Sequence, residues 1–194
     1  MTRDRKRVLV TGFGAFPGAP INPTEALVES LRALPAPARS SLDLHVLPVS
    51  WVETPRRLRE LMTAVRPAVV LMFGLHGRAR SVRIETRAVN RTSPTASDAA
   101  GALPASHLLC ADGPATRFSR CDRDQLLAAI RATGAPVRLS RDAGTYLCNA
   151  ALWTALEGTA DEVKVAFIHV PATQRLTAAR LLAVASAAIG VMAS

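Results

Sequence analysis

The amino-acid sequence predicts an α/β domain with a largely parallel central sheet. Short strand-like apolar runs recur along the chain, and helical apolar patterns lie between several of them, an alternation that builds strand-helix-strand units. A length of 194 residues, 49% of them hydrophobic, supports one sizeable core and one domain spanning residues 1–194.

The elements follow in order. Val8–Thr11 is the first strand. Asn22 then stands as a helix cap, with Pro23 suited to the first helical position and Glu25 completing a capping-box spacing. Leu27, Leu31 and Leu34 share one face of that helix, which should end near Pro35. Leu42–Val49 reads as a second strand. A helix over Glu53–Val65 aligns Leu58, Leu61, Met62 and Val65 and stops before Pro67. Strands are expected at Ala68–Phe73, Val82–Val89, Val137–Ser140 and Val163–Val170, and helices at Asp122–Thr133, Thr145–Leu156 and Thr173–Ile189. Between Asn90 and Ser119 the pattern dissolves into Thr, Ser, Pro, Ala, Asp and Gly, and a loop of that length is functional or disordered.

Composition narrows the class. The charged start, Met1–Arg7, runs straight into Val8-Leu9-Val10 without the apolar stretch and cleavage site of a secretion signal. The apolar-rich stretch Leu181–Ala193 is shorter than the roughly 20 residues of a membrane span. A cytoplasmic protein without a membrane partner is the expectation. Cys110, Cys121 and Cys148 are an odd number lacking metal-ligand spacing, so reduced thiols and no structural metal are expected. The net charge of +9 comes mainly from arginines spread along the chain, and with 4% aromatic residues there is little to stack bases on. A solvated basic surface is favoured over a nucleic-acid partner.

Cysteine, histidine and glutamate supply the candidate chemistry. Cys148 falls in Gly144-Thr145-Tyr146-Leu147-Cys148-Asn149, at the start of an apolar helix, where the helix dipole favours a thiolate. An isolated helical cysteine is alternatively a small buried hydrophobe. His169 ends the apolar strand before Pro171, at the carboxyl edge of the sheet where helices begin and α/β proteins bind ligands. It is either a partner for Cys148 or a satisfied structural histidine. Glu85, in Val82-Arg83-Ile84-Glu85-Thr86-Arg87, either orients an imidazole, as the third member of a nucleophile-base set does, or is an exposed residue paired with Arg83 or Arg87.

These segments, in this order, resemble the pyroglutamyl peptidase I (pyrrolidone carboxyl peptidase) family of cysteine peptidases. The resemblance is carried by Val8-Leu9-Val10-Thr11-Gly12-Phe13-Gly14-Ala15-Phe16-Pro17-Gly18 with Ile21-Asn22-Pro23-Thr24-Glu25, by Ala143-Gly144-Thr145-Tyr146-Leu147-Cys148-Asn149, by Phe167-Ile168-His169-Val170-Pro171, and by Glu85 ahead of Ala88-Val89-Asn90. It implies a three-layer α/β/α sandwich with a mixed, largely parallel sheet, and a metal-free, cofactor-free thiol peptidase. Cys148 would be the nucleophile, His169 the base and Glu85 the orienting carboxylate. Phe13, Phe16, Asn22 and Leu147 would form the substrate pocket, two aromatic faces suiting a flat, uncharged lactam. N-terminally pyroglutamylated peptides would be the substrates, and a homo-oligomer, a tetramer in the family, the assembly.

The chain departs from the family's pattern in three places. Thr95 stands where the family carries an Arg, Gly74-Leu75-His76-Gly77-Arg78-Ala79-Arg80 is an altered glycine-rich turn, and the segment after Pro171 differs. Arg78, Arg80 and Arg91 are the nearby arginines that could replace the lost one. Two other readings stay open: a diverged thiol hydrolase acting on another small amide, and a non-catalytic basic binding protein on the same scaffold.

Overall fold

A computed structural model describes residues 6–36 and 39–194; the charged start up to Arg5 lies outside them. Among the described residues eight strands are formed, β1 (Val8–Phe13), β2 (Leu42–Leu47), β3 (Val69–Leu75), β4 (Val82–Glu85), β5 (Arg87–Val89), β6 (Thr116–Phe118), β7 (Val137–Ser140) and β8 (Lys164–Val170). The helices are α1 (Pro23–Arg32), α2 (Glu53–Val65), α3 (Arg123–Ala132), α4 (Leu147–Gly158) and α5 (Ala178–Ala193). Six strands make the central sheet in the order β2-β1-β3-β8-β4-β7. The first four run parallel, while β4 lies antiparallel to β8 and carries β7 parallel to itself.

Strand alternation sorts the side chains into two cores. Val8, Val10, Leu71, Ile84 and Ile168 face α1, α3 and α5 through Leu31, Ile130 and Val184. Leu9, Phe13, Met72, Val165 and Phe167 face α2 and α4 through Leu58, Leu152 and Trp153. The molecule is therefore a three-layer α/β/α sandwich. Because Phe167 faces α2 and α4, His169, two residues on, stands on that same face at the strand's carboxyl end.

Element boundaries are decided partly by distant partners and partly by local caps. The run Val82–Val89 is broken at Thr86, whose N–H and hydroxyl both donate to the Ser140 carbonyl, at 2.8 and 2.9 Å, where β7 ends. Beyond it, Arg87–Val89 leaves the main sheet and pairs antiparallel with Thr116–Phe118, which gives the loop after Asn90 a strand of its own. That loop is ordered around Asn90, whose Oδ1 accepts from the N–H groups of Leu109 and Cys110 and whose Nδ2 donates to the Cys110 carbonyl. The last helix begins at Ala178 rather than Thr173 because Thr177 is its cap, accepting from the Arg180 N–H, and Arg175 N–H closes a turn on Ala172 O before it. Helix α4 starts at Leu147, after an extended Tyr146, two residues later than Thr145 and within the usual spread of helix boundaries.

Candidate active site

In the antiparallel pairing of β4 with β8, Glu85 lies opposite Phe167 and Arg83 opposite His169. Directly paired residues share a face, and their diagonal neighbours come within side-chain reach. Glu85 and His169 are such a diagonal pair: Nδ1 of His169 donates to Glu85 Oε1 at 2.8 Å. Both are buried, the histidine 3% exposed and the glutamate fully enclosed. Glu85 Oε2 has no hydrogen-bond partner among the described residues, so the imidazole is the group that compensates this carboxylate.

The nucleophile candidate reaches the same place from the other direction. Gly144, at φ +76°, turns the chain after β7 in the left-handed region open to glycine, and the Thr145 carbonyl is tied to Ser93 N–H at 2.7 Å. Tyr146 is the cap residue of α4, whose second position, Cys148, is half-buried. Asn149 anchors this helix start to β5: its Oδ1 accepts from Val89 N–H at 2.9 Å and its Nδ2 donates to Val89 O at 2.8 Å. The sulfur settles over Gly74 of β3, the register partner of His169; a Cβ at Gly74 would lie 2.9 Å from Cys148 Sγ. With Nδ1 held by Glu85, Nε2 of His169 is left for the sulfur.

Electrostatics couple the three groups. Burial, the largest influence on His169, disfavours its charged form. The charge of Cys148, a hydrogen bond with it, and the hydrogen bond and charge of Glu85 together outweigh burial and raise the imidazole's pKa to about 9. A thiol, an imidazole and a buried carboxylate in line are the parts of a nucleophile-base-orienter set. Among the described residues no group of three His, Cys, Asp or Glu side chains is placed to hold a metal ion.

A cavity opens on each side of Cys148. One is small and apolar, walled by Phe13, Phe16, Asn22, Tyr146 and Leu147. The other, of about 300 Å³, is lined by His76, Arg78, Asp142 and His169.

A sequence model of the family described as pyroglutamyl peptidase matches residues 6–190. The chain belongs to the pyroglutamyl peptidase family. Among its relatives, pyrrolidone-carboxylate peptidase 1 of Ralstonia nicotianae is 32% identical over 169 residues, 84% of this chain and 77% of the relative. The pyrrolidone-carboxylate peptidase of Oceanobacillus iheyensis is 32% identical over 174 residues, covering 88% and 86% of the two chains. Among solved structures, the pyrrolidone carboxyl peptidase of Thermococcus litoralis superposes with a TM-score of 0.86 at 26% identity, covering 96% of this chain and 93% of that one. The Thermus thermophilus pyrrolidone carboxyl peptidase gives a TM-score of 0.86 at 29% identity, with 95% and 99% covered.

The structure brings all seven residues singled out in the sequence to one region, with Phe13, Phe16, Asn22 and Leu147 around one cavity beside Cys148. Asn22 is also the cap of α1 and braces the loop between the two phenylalanines, donating from Nδ2 to Gly14 O at 3.0 Å. Phe13 is at once a core residue and a pocket wall. Thr95 lines a cavity of about 640 Å³ with Phe16 and Tyr146, both of which also wall the cavity at Cys148. Of the three alternative arginines, Arg78 lines a cavity with Cys148 and His169, Arg91 lines a different one of about 490 Å³, and Arg80 is exposed.

Four further residues belong to the site. Gly74 seats the sulfur. Tyr146 packs edge-on against Trp51 at 5.3 Å, and its hydroxyl donates to Ser97 O at 2.9 Å, holding the Thr95 loop against the pocket. Arg83 Nη1 donates to His76 Nε2 at 3.1 Å, and the His76 ring stands edge-on to His169. Gly74, His76 and Tyr146 stood in the sequence only as members of longer motifs, and Arg83 only as an ion-pair partner offered to Glu85; no local signal gave any of the four its place in the site.

Proposed function

We propose that the protein is a cysteine-type omega peptidase that removes N-terminal pyroglutamate from peptides, acting as one catalytic domain. The observation that carries this reading is the chain Glu85–His169–Cys148, with an apolar pocket on one side of the sulfur. His169 takes the thiol proton, and the sulfur attacks the carbonyl carbon of a pyroglutamyl residue whose lactam lies between Phe13 and Phe16. The tetrahedral oxyanion is stabilised by backbone N–H groups in the first turn of α4, whose cap residue Tyr146 offers no side chain to occupy them. Collapse breaks the C–N bond as His169 gives its proton to the leaving amine. Water, deprotonated by His169, then attacks the thioester and releases pyroglutamate, restoring the thiol. Glu85 fixes the imidazole's tautomer and stabilises its charged form.

Two finer points belong to the same proposal: a cytoplasmic location and a homo-oligomeric assembly. No helix among the described residues is long and apolar enough to cross a membrane. Exposed Val52, Leu103 and Leu108 border a cavity with Trp51 and Pro55, and burying that patch between copies would remove apolar surface from water. A second reading, hydrolysis of another small amide by the same thiol, draws on Thr95, since the family's Arg is absent there. Hydrolysis of pyroglutamyl-aminomethylcoumarin by the wild type, abolished in Cys148→Ser and retained in a Cys110→Ser/Cys121→Ser double variant, supports the proposal. An inert wild type whose Cys148 still alkylates favours the second reading.

A further inference from the structure

The reading above, on which this inference rests, fills one side of Cys148 with the pyroglutamyl ring. The leaving nitrogen must come within hydrogen-bond reach of His169 to be protonated. His169 faces the other cavity, so the residue that follows pyroglutamate projects there, beside His76.

His76 is held from several directions. Its N–H donates to Val170 O at 2.8 Å, its carbonyl accepts from Ala79 N–H at 2.8 Å, and Arg175 Nη1 ties the same turn through Ala79 O at 2.8 Å. Its ring meets that of His169 at 5.4 Å between centroids and 87° between planes. Arg83 can only donate, so Nε2 of His76 is the acceptor in their 3.1 Å contact, and the ring is neutral. Burial first, then the charges of Arg83 and His169, hold its pKa below the usual value, which keeps it so. The Cβ of the residue after pyroglutamate is two bonds from the nitrogen that His169 protonates. A neutral, fixed ring next to that point offers contact area rather than charge.

We infer that His76 determines specificity for the residue following pyroglutamate, favouring side chains with a flat apolar face over glycine. Ring-on-ring contact of this kind corresponds to about a threefold to tenfold preference.

The test compares kcat/KM for pyroglutamyl-phenylalaninamide and pyroglutamyl-glycinamide. In the wild type the ratio should exceed one by about that factor. His76→Gln keeps an acceptor for Arg83 without the ring, and its ratio should fall to near parity. His76→Phe keeps a ring without the acceptor, and its ratio should persist. These opposite expectations keep the test readable should either variant not fold. A wild-type ratio near one, or a ratio unmoved in His76→Gln, overturns the inference while turnover of pyroglutamyl-glycinamide leaves the peptidase reading standing. No turnover of either substrate by the wild type overturns both.

Discussion

Replacing Gly74 by Ala adds a single methyl group at the floor of the site, and the structure says where it goes. The new Cβ would lie 2.6 Å from Phe167 Cζ and 2.9 Å from Cys148 Sγ. Unstrained heavy-atom contacts fall near 3.5–4.0 Å, so both neighbours must retreat by roughly 0.5–1 Å. Phe167 is fully enclosed in the core under α4 and has little room, whereas Cys148 is half-buried at a cavity mouth, so the sulfur yields further. Overpacking costs about 1–3 kcal/mol. That exceeds the roughly 0.5–1 kcal/mol that Ala gains over Gly inside a strand, so Tm should drop by a few degrees with the fold retained. Catalysis should suffer more, because misplacing a reacting atom by about 1 Å costs on the order of a hundredfold. The measurement is kcat/KM on pyroglutamyl-aminomethylcoumarin, normalised to alkylatable Cys148 and read beside thermal unfolding. A Gly74→Ala enzyme within about twofold of wild type would refute the seating argument.

The pH profile should carry the signature of His169. Its pKa is raised to about 9, so the protonated form needed by the leaving amine persists through neutrality, and kcat/KM should fall on the alkaline side as pH passes that value. Glu85→Gln removes the carboxylate at 2.8 Å and with it about 1.5–3 kcal/mol of support for the charged ring, moving the alkaline limb down by about one to two pH units as well as lowering the plateau. An unmoved limb would show that Glu85 does not govern the imidazole. Thr95→Arg places a cation in a cavity of about 640 Å³ beside Phe16 and Tyr146; if the missing guanidinium limits turnover, kcat/KM should rise by tenfold or more, since a well-placed charged donor supplies about 2–4 kcal/mol. An unchanged rate, together with a fall in Arg78→Ala, would show that Arg78 has taken over the role.

The strand and helix spacing was legible wherever an element's own residues decide it. The cap at Asn22, the Leu27/Leu31 stripe and the apolar run into His169 are local signals, and each element formed within a few residues of its expected place. Where a distant group decides, local pattern was silent. The break at Thr86 depends on the Ser140 carbonyl, 54 residues away; the start of α5, by contrast, is a local choice of Thr177 over Thr173 as cap. The same limit applies to the antiparallel insertion of β4 between β8 and β7, because alternation along a strand is the same in either direction.

That insertion is what makes the site. Read by itself, Glu85 serves an exposed strand paired with Arg83 or Arg87 as well as it serves a catalytic set. Only when β4 runs antiparallel beside β8, in the register that sets Glu85 opposite Phe167, does its carboxylate become the diagonal neighbour of a histidine 84 residues away. A slip of one residue would turn Glu85 to the opposite face, beside Ile168, Val170 and the α1, α3 and α5 core, where a carboxylate would have no partner. The apolar partners of Val82 and Ile84 thus enforce the register, and the register positions the carboxylate. Burial of Val82 and Ile84 on one face therefore helps to set the Glu85 carboxylate beside His169 on the other.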